Sequence, residues 1–116
     1  MSSPIRVPAD ELRALSRQAL EKFGLGTEDA KVAADVLVEA DLLGIETHGT
    51  KRLRAYVERI IRGGVNTTPT ITVTEKTPQV AIVDGDGALG PVVGTRALNE
   101  AMNRGQAGRH RLCRLP

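Results

Sequence analysis

Thr47, His48 and Arg52 place a hydroxyl, an imidazole and a guanidinium within six residues of one another. Histidine titrates near neutral pH, so His48 can exchange a proton with a carbonyl or hydroxyl oxygen. The Thr47 hydroxyl can orient that imidazole or bond a substrate oxygen. The planar guanidinium of Arg52 can hold a carboxylate through two parallel hydrogen bonds. The three fall in Asp41-Leu-Leu-Gly-Ile-Glu-Thr-His-Gly-Thr-Lys-Arg52, a stretch that reads as a short bend between two helices. Loops on a rigid scaffold are where reactive groups tend to sit. The plainer alternative is a capping turn, with Thr47 or Thr50 capping the next helix and His48 merely polar.

Two other features invite chemistry and carry less. Gly85-Asp-Gly-Ala-Leu-Gly90 matches G-x-G-x-x-G between an expected strand and an expected helix, the setting of a dinucleotide fingerprint. Asp86, however, would set a negative charge against a pyrophosphate, and Pro91 removes one N–H donor from the helix's anion site. A glycine-rich turn feeding a helix is the better expectation. His110 and Cys113 alone cannot fill a zinc site, and no metal is expected. Arg109, Arg111 and Arg114 without a scaffold would give only salt-sensitive phosphate contact.

The elements that must position these groups follow from periodicity. Pro8 to Phe23 reads as a helix with Leu12, Leu15, Ala19, Leu20 and Phe23 on one face and Gly24 as its stop. Thr27 is the expected N-cap of a second helix to about Leu43, with Ala33, Val36, Leu37, Ala40 and Leu43 inward. A third helix runs from about Thr50 to Arg62, with Leu53, Val57, Ile60 and Ile61 inward. Thr70 to Glu75 and Val80 to Val83 read as strands around a turn at Lys76-Thr77-Pro78. Pro91 to Asn103 is a fourth helix. The expected class is α+β: a helical domain over 1–66, a β-β-α unit over 67–104, and an irregular basic tail over 105–116 that resembles a non-native end.

Composition narrows the function classes. The chain has 116 residues, enough for one domain or part of a larger protein. Aromatics make up 2%, too few for base-stacking platforms on single-stranded nucleic acid. Residues 1–108 carry 13 basic and 14 acidic groups, so the net charge of +2 belongs to the last eight positions and argues against a nucleic-acid partner. A single cysteine forms no intrachain disulfide and fits a cytoplasmic protein. No apolar run suggests a membrane span or secretory signal.

Ala40 to Tyr56 resembles the Ala-Asp-x-x-Gly-x-x-Ser-His-Gly-x-x-Arg-x-x-x-Tyr signature of the type-2 malate/L-lactate dehydrogenase family. Phe23-Gly-Leu25, Glu28-Asp-Ala30, Arg62-Gly-Gly-Val-Asn66, Val83 to Gly90 and Ala97 to Met102 resemble that family in the same order, over about residues 5–104. The resemblance implies a 2-oxo/2-hydroxy acid substrate, NAD or NADP as hydride carrier, a non-Rossmann cofactor domain and a homodimer. It puts Thr47 in the place of the family serine, His48 in that of its histidine and Arg52 in that of the arginine that holds the substrate carboxylate. The cofactor-binding residues are not identified in this chain. The family chain is longer, so the expectation is the N-terminal portion of an α/β oxidoreductase, inactive alone. The competing expectation is a non-catalytic helical module for interaction or dimerisation.

Overall fold

A computed structural model describes Ser3 and residues 5–112, with side chains through residue 107. Four α-helices and one antiparallel hairpin follow in the order α1 (Ala9–Lys22), α2 (Thr27–Leu42), α3 (Leu53–Ile61), β1 (Thr72–Thr77), β2 (Val80–Asp84) and α4 (Gly90–Leu112). Two short 3₁₀ turns, Glu46–His48 and Thr50–Arg52, lie between α2 and α3. The arrangement is α+β, as the pattern of periods predicts.

Helices α1 and α2 form the main helical pair. On α2 the buried residues are Ala30, Ala33, Ala34, Leu37 and Val38, an i, i+3, i+4, i+7, i+8 stripe. On α1 they are Ser16 and Leu20. Small residues on both helices allow close approach. The expected stripes are corrected by this packing: Leu15 and Phe23 on α1 and Val36 and Leu43 at α2 are exposed, as is Ile61 on α3. Each helix has apolar residues flanking the expected face; on α2 the buried stripe is turned toward Ala30, Ala34 and Val38, while Leu20 on α1 and Leu53, Val57 and Ile60 on α3 face the core as expected. Gly26, not Thr27, is the N-cap of α2, and Thr27 is its first helical residue.

A second cluster joins the elements into one core. Leu20, Leu25, Ala30, Ala33, Val65, Leu89 and Val92 are buried together, with Leu53, Tyr56, Val57, Ile60 and Ile71 packed against them. The start of α4 is thus anchored to the three-helix unit through Leu89 and Val92.

The hairpin pairs Thr72 with Asp84 and Thr74 with Ile82. Its turn is Pro78-Gln79, later than expected, because the Thr77 hydroxyl accepts from the N–H groups of Gln79 (3.3 Å) and Val80 (3.1 Å). The largest correction concerns α4. It continues beyond Asn103 to Leu112, through residues expected to be irregular. Gly105 and Gly108 weaken a helix by about 1 kcal/mol each relative to alanine, but no proline intervenes to stop it. Positions Arg109, His110 and Arg111 therefore lie on a helix; Cys113 and Arg114 fall outside the described residues. The long helix makes the molecule extended, 65 × 32 × 21 Å, with a radius of gyration of 17.5 Å against about 13 Å for a compact chain of this length.

Candidate active site at the α2–α3 bend

The bend is built by two glycines with different tasks. Gly44 ends α2 with φ +77°, a left-handed conformation that L side chains rarely adopt. Around it the N–H of Ile45 bonds the Ala40 carbonyl (2.8 Å) and the N–H of Gly44 bonds the Asp41 carbonyl (3.0 Å), a Schellman closure. The chain then makes the turn Glu46–His48, passes Gly49 and makes the turn Thr50–Arg52 before α3 begins. Gly49 is buried in extended backbone (φ −89°, ψ −155°), and a Cβ there would collide with the Asp41 carboxylate.

Asp41 explains that crowding. Its Oδ2 accepts from the backbone N–H of Thr50 (3.0 Å) and from the Thr50 hydroxyl (2.6 Å). These bonds satisfy a donor that would otherwise be orphaned at the head of the second turn. Neither Thr47 nor Thr50 acts as a side-chain cap, in contrast to the capping-turn expectation. On the outer side, Lys51 Nζ meets Glu46 Oε2 at 3.2 Å, linking the two turns across Gly49.

Within this frame Thr47 Oγ1 and His48 Nδ1 are 2.9 Å apart. Both side chains are exposed. Nε2 has no hydrogen-bond partner among the described residues. Arg52 is exposed at the end of the second turn and makes no ion pair or side-chain hydrogen bond among the described residues. Thr47 and His48 are therefore in direct contact, while Arg52 stands on the adjoining turn with its guanidinium uncommitted. Asp41 is the residue whose part was not read from sequence. The signal available was the Asp-x-x-Gly spacing at the helix end, nine residues before the Thr50 it binds.

The glycine-rich loop is arranged for another purpose. Asp86 sits at φ 51°, and its Oδ2 accepts from the Thr70 N–H (2.9 Å) and from Asn66 Nδ2 (3.0 Å). Asn66 Nδ2 also bonds the Asp86 carbonyl at 3.0 Å, and the Asn66 N–H bonds the Gly87 carbonyl at 2.9 Å. A Cβ on Gly85 would press into the Val93 side chain. The loop is thus a latch that ties the connector after α3 to the start of α4. Its carboxylate occupies the place where a pyrophosphate would need donors, so these residues do not fit a dinucleotide.

Farther along, Arg104 reaches Glu100 Oε1 through Nε (2.9 Å) and Glu75 Oε2 through Nη1 (3.0 Å), bracing α4 against the hairpin. Hydrogen bonding to Glu75, working against partial burial, holds its pKa above the ordinary arginine value. Among the described residues no group of His, Cys, Asp and Glu can hold a metal ion, and no helix is long and apolar enough to cross a membrane.

Residues 7–108 match the family model for malate/L-lactate dehydrogenase. A malate dehydrogenase of Pyrococcus horikoshii is 49% identical over 100 residues, which cover 86% of this chain and 28% of that protein. An L-sulfolactate dehydrogenase of Methanocaldococcus jannaschii is 42% identical over 85 residues, 73% of this chain and 25% of that one. The solved structure of the Pyrococcus horikoshii enzyme superposes with a TM-score of 0.85 at 48% identity, over 89% of this chain and 30% of that chain. The match is to the N-terminal part of these relatives, and the chain spans under a third of their length.

Proposed function

The chain belongs to the malate/L-lactate dehydrogenase family, and from that premise we propose that its α2–α3 bend is the acid-recognition and proton-transfer part of a hydroxy-acid dehydrogenase site. The observation that carries this reading is the 2.9 Å contact of Thr47 Oγ1 with His48 Nδ1. It holds one ring nitrogen and leaves Nε2 for a ligand. With Nδ1–H donating to the Thr47 hydroxyl, the neutral ring presents Nε2 as the base that removes the proton of a 2-hydroxy acid. The imidazolium formed in that step is the acid of the reverse direction, returning the proton from Nε2 to the oxygen of a 2-oxo acid as that oxygen gains charge. The Thr47 oxygen accepts from Nδ1–H in both directions. Arg52 binds the carboxylate and so fixes which carbon lies beside the imidazole.

A nicotinamide cofactor, NAD or NADP, is the hydride carrier that the family implies. The described residues provide no cradle for it at the 85–90 loop. On this reading residues 1–66 form the acid-binding helical domain, 67–104 begin the cofactor domain, and the protein works in the cytoplasm. The 116-residue chain alone is then inactive: purified chain with pyruvate or oxaloacetate should oxidise neither NADH nor NADPH. A chimera in which residues 7–108 replace the matching stretch of the Pyrococcus horikoshii enzyme should reduce oxaloacetate. An inert but folded chimera would refute the assignment of the bend.

A second reading, a module for interaction or dimerisation, has its own observation. Val36, Ala40, Leu43 and Ile45, with Asp35 and Glu39, line an exposed apolar groove of about 420 Å³ along α2. A contact of this face with a second copy accords with the homodimer that the family implies, and Leu43→Asp should then shift sedimentation toward monomer.

A further inference from the structure

We infer that Asp41 is a positioning residue for the Thr47–His48–Arg52 site, its carboxylate clamping the bend and so setting where the imidazole and the guanidinium stand. The inference rests on the reading proposed above and adds a residue to which that reading gives no part. Three observations support it. First, Asp41 is not a neighbour of the turn it holds. It lies at the end of α2, nine residues before Thr50, and its Oδ2 takes both Thr50 donors, at 3.0 and 2.6 Å. An ordinary N-cap side chain bonds an N–H two or three residues ahead. Asp41 instead joins the end of one helix to the turn that leads into the next.

Second, Gly49 is needed for the clamp and not for its backbone. Its φ of −89° is open to any residue, yet a Cβ would collide with the Asp41 carboxylate. Third, Thr47 and His48 lie between two fixed points, the Schellman closure at Gly44 and the clamp at Thr50, while Arg52 closes the very turn that Thr50 heads. The Glu46–Lys51 pair on the outer side is exposed, and such pairs contribute little in water. The half-buried carboxylate is the stronger tie.

The test is heteronuclear NMR of the whole 116-residue chain, following the His48 ring nitrogens and titrating with oxamate, an unreactive isostere of pyruvate. Asp41→Ala should move the His48 Nδ1 signal and weaken oxamate binding about tenfold, the scale of losing one charge-assisted hydrogen bond at the turn. Asp41→Asn, whose amide oxygen can accept the same two bonds, should bring affinity back to within about threefold of the parent. Gly49→Ala should move the same signal in the parent chain and add little in the Asp41→Ala background, because the collision partner is gone. A lowered melting temperature with an unmoved His48 signal, or full additivity of the two changes, overturns the clamp. Should Asp41→Ala not fold, Gly49→Ala alone decides, by whether the His48 signal moves while helix content is retained. If oxamate does not bind the parent chain but the His48 signal still responds to Asp41→Ala, acid recognition fails and the clamp stands.

Discussion

Two bends of this chain each set an aspartate against a glycine-containing turn, and they use it in opposite ways. At 85–90 the Asp86 carboxylate turns back onto Asn66 and the Thr70 N–H, and the loop's polar groups satisfy one another. At 41–52 the Asp41 carboxylate is equally committed to Thr50, while among the described residues His48 Nε2 and the Arg52 guanidinium have no partner. The first loop has the more familiar glycine pattern and the second has the chemistry. A pattern of residue types names candidates. What separates a latch from a site is which polar groups remain unpaired once the local structure has been satisfied.

That contrast can be broken by substitution. The largest effect should come from His48→Ala in the chimera, with kcat lower by about 10²–10⁴ and the thermal transition nearly unchanged; a merely structural histidine would give the reverse. Arg52→Gln should act next, raising KM for the acid about 10–100-fold, read from initial rates over a range of oxaloacetate. An Arg52 variant with lowered kcat and unchanged KM would argue against carboxylate binding.

At the other loop the expected effect is on stability alone. Asp86→Ala should lose about 2 kcal/mol in urea unfolding, part from its hydrogen bonds and part from a left-handed backbone that alanine resists. Asp86→Gly should lose about half of that, because glycine accepts the φ. Neither should move the His48 signals, and if either does, the two regions are not independent.

The smallest effect belongs to Arg104→Gln, a drop in melting temperature that shrinks as salt is raised. The folded-state pKa of Arg104 is raised, so its contribution is fully present below the unfolded value and is lost only as pH climbs through the folded one. The difference between parent and variant should therefore stay constant from pH 7 to pH 10.

The helices were legible because Leu20, Ala33 and Leu37 recur at helical spacing and Gly24, Gly44 and Gly63 punctuate them. The exact faces were not, since Leu15, Val36 and Leu43 carry the same period as their buried neighbours and only helix-on-helix packing decides between them. The length of α4 was missed because Gly105 reads as a stop, while the Arg104 bracket to Glu75 that supports this part of the helix spans 29 residues. At the site, the residue types Thr47, His48 and Arg52 could be read directly. The Asp41 clamp could not, because it depends on the path of the chain between two helix ends.

The hairpin has a consequence of its own. Among the described residues each of its strands has one neighbour, so two ladders of backbone donors and acceptors face outward. Val80 and Ile82, each more than half exposed, stand on the second of those strands. Such a ribbon is a template for strand addition. Concentrated solutions of the chain should scatter light and bind thioflavin in time, and a lysine at Ile82 should delay both.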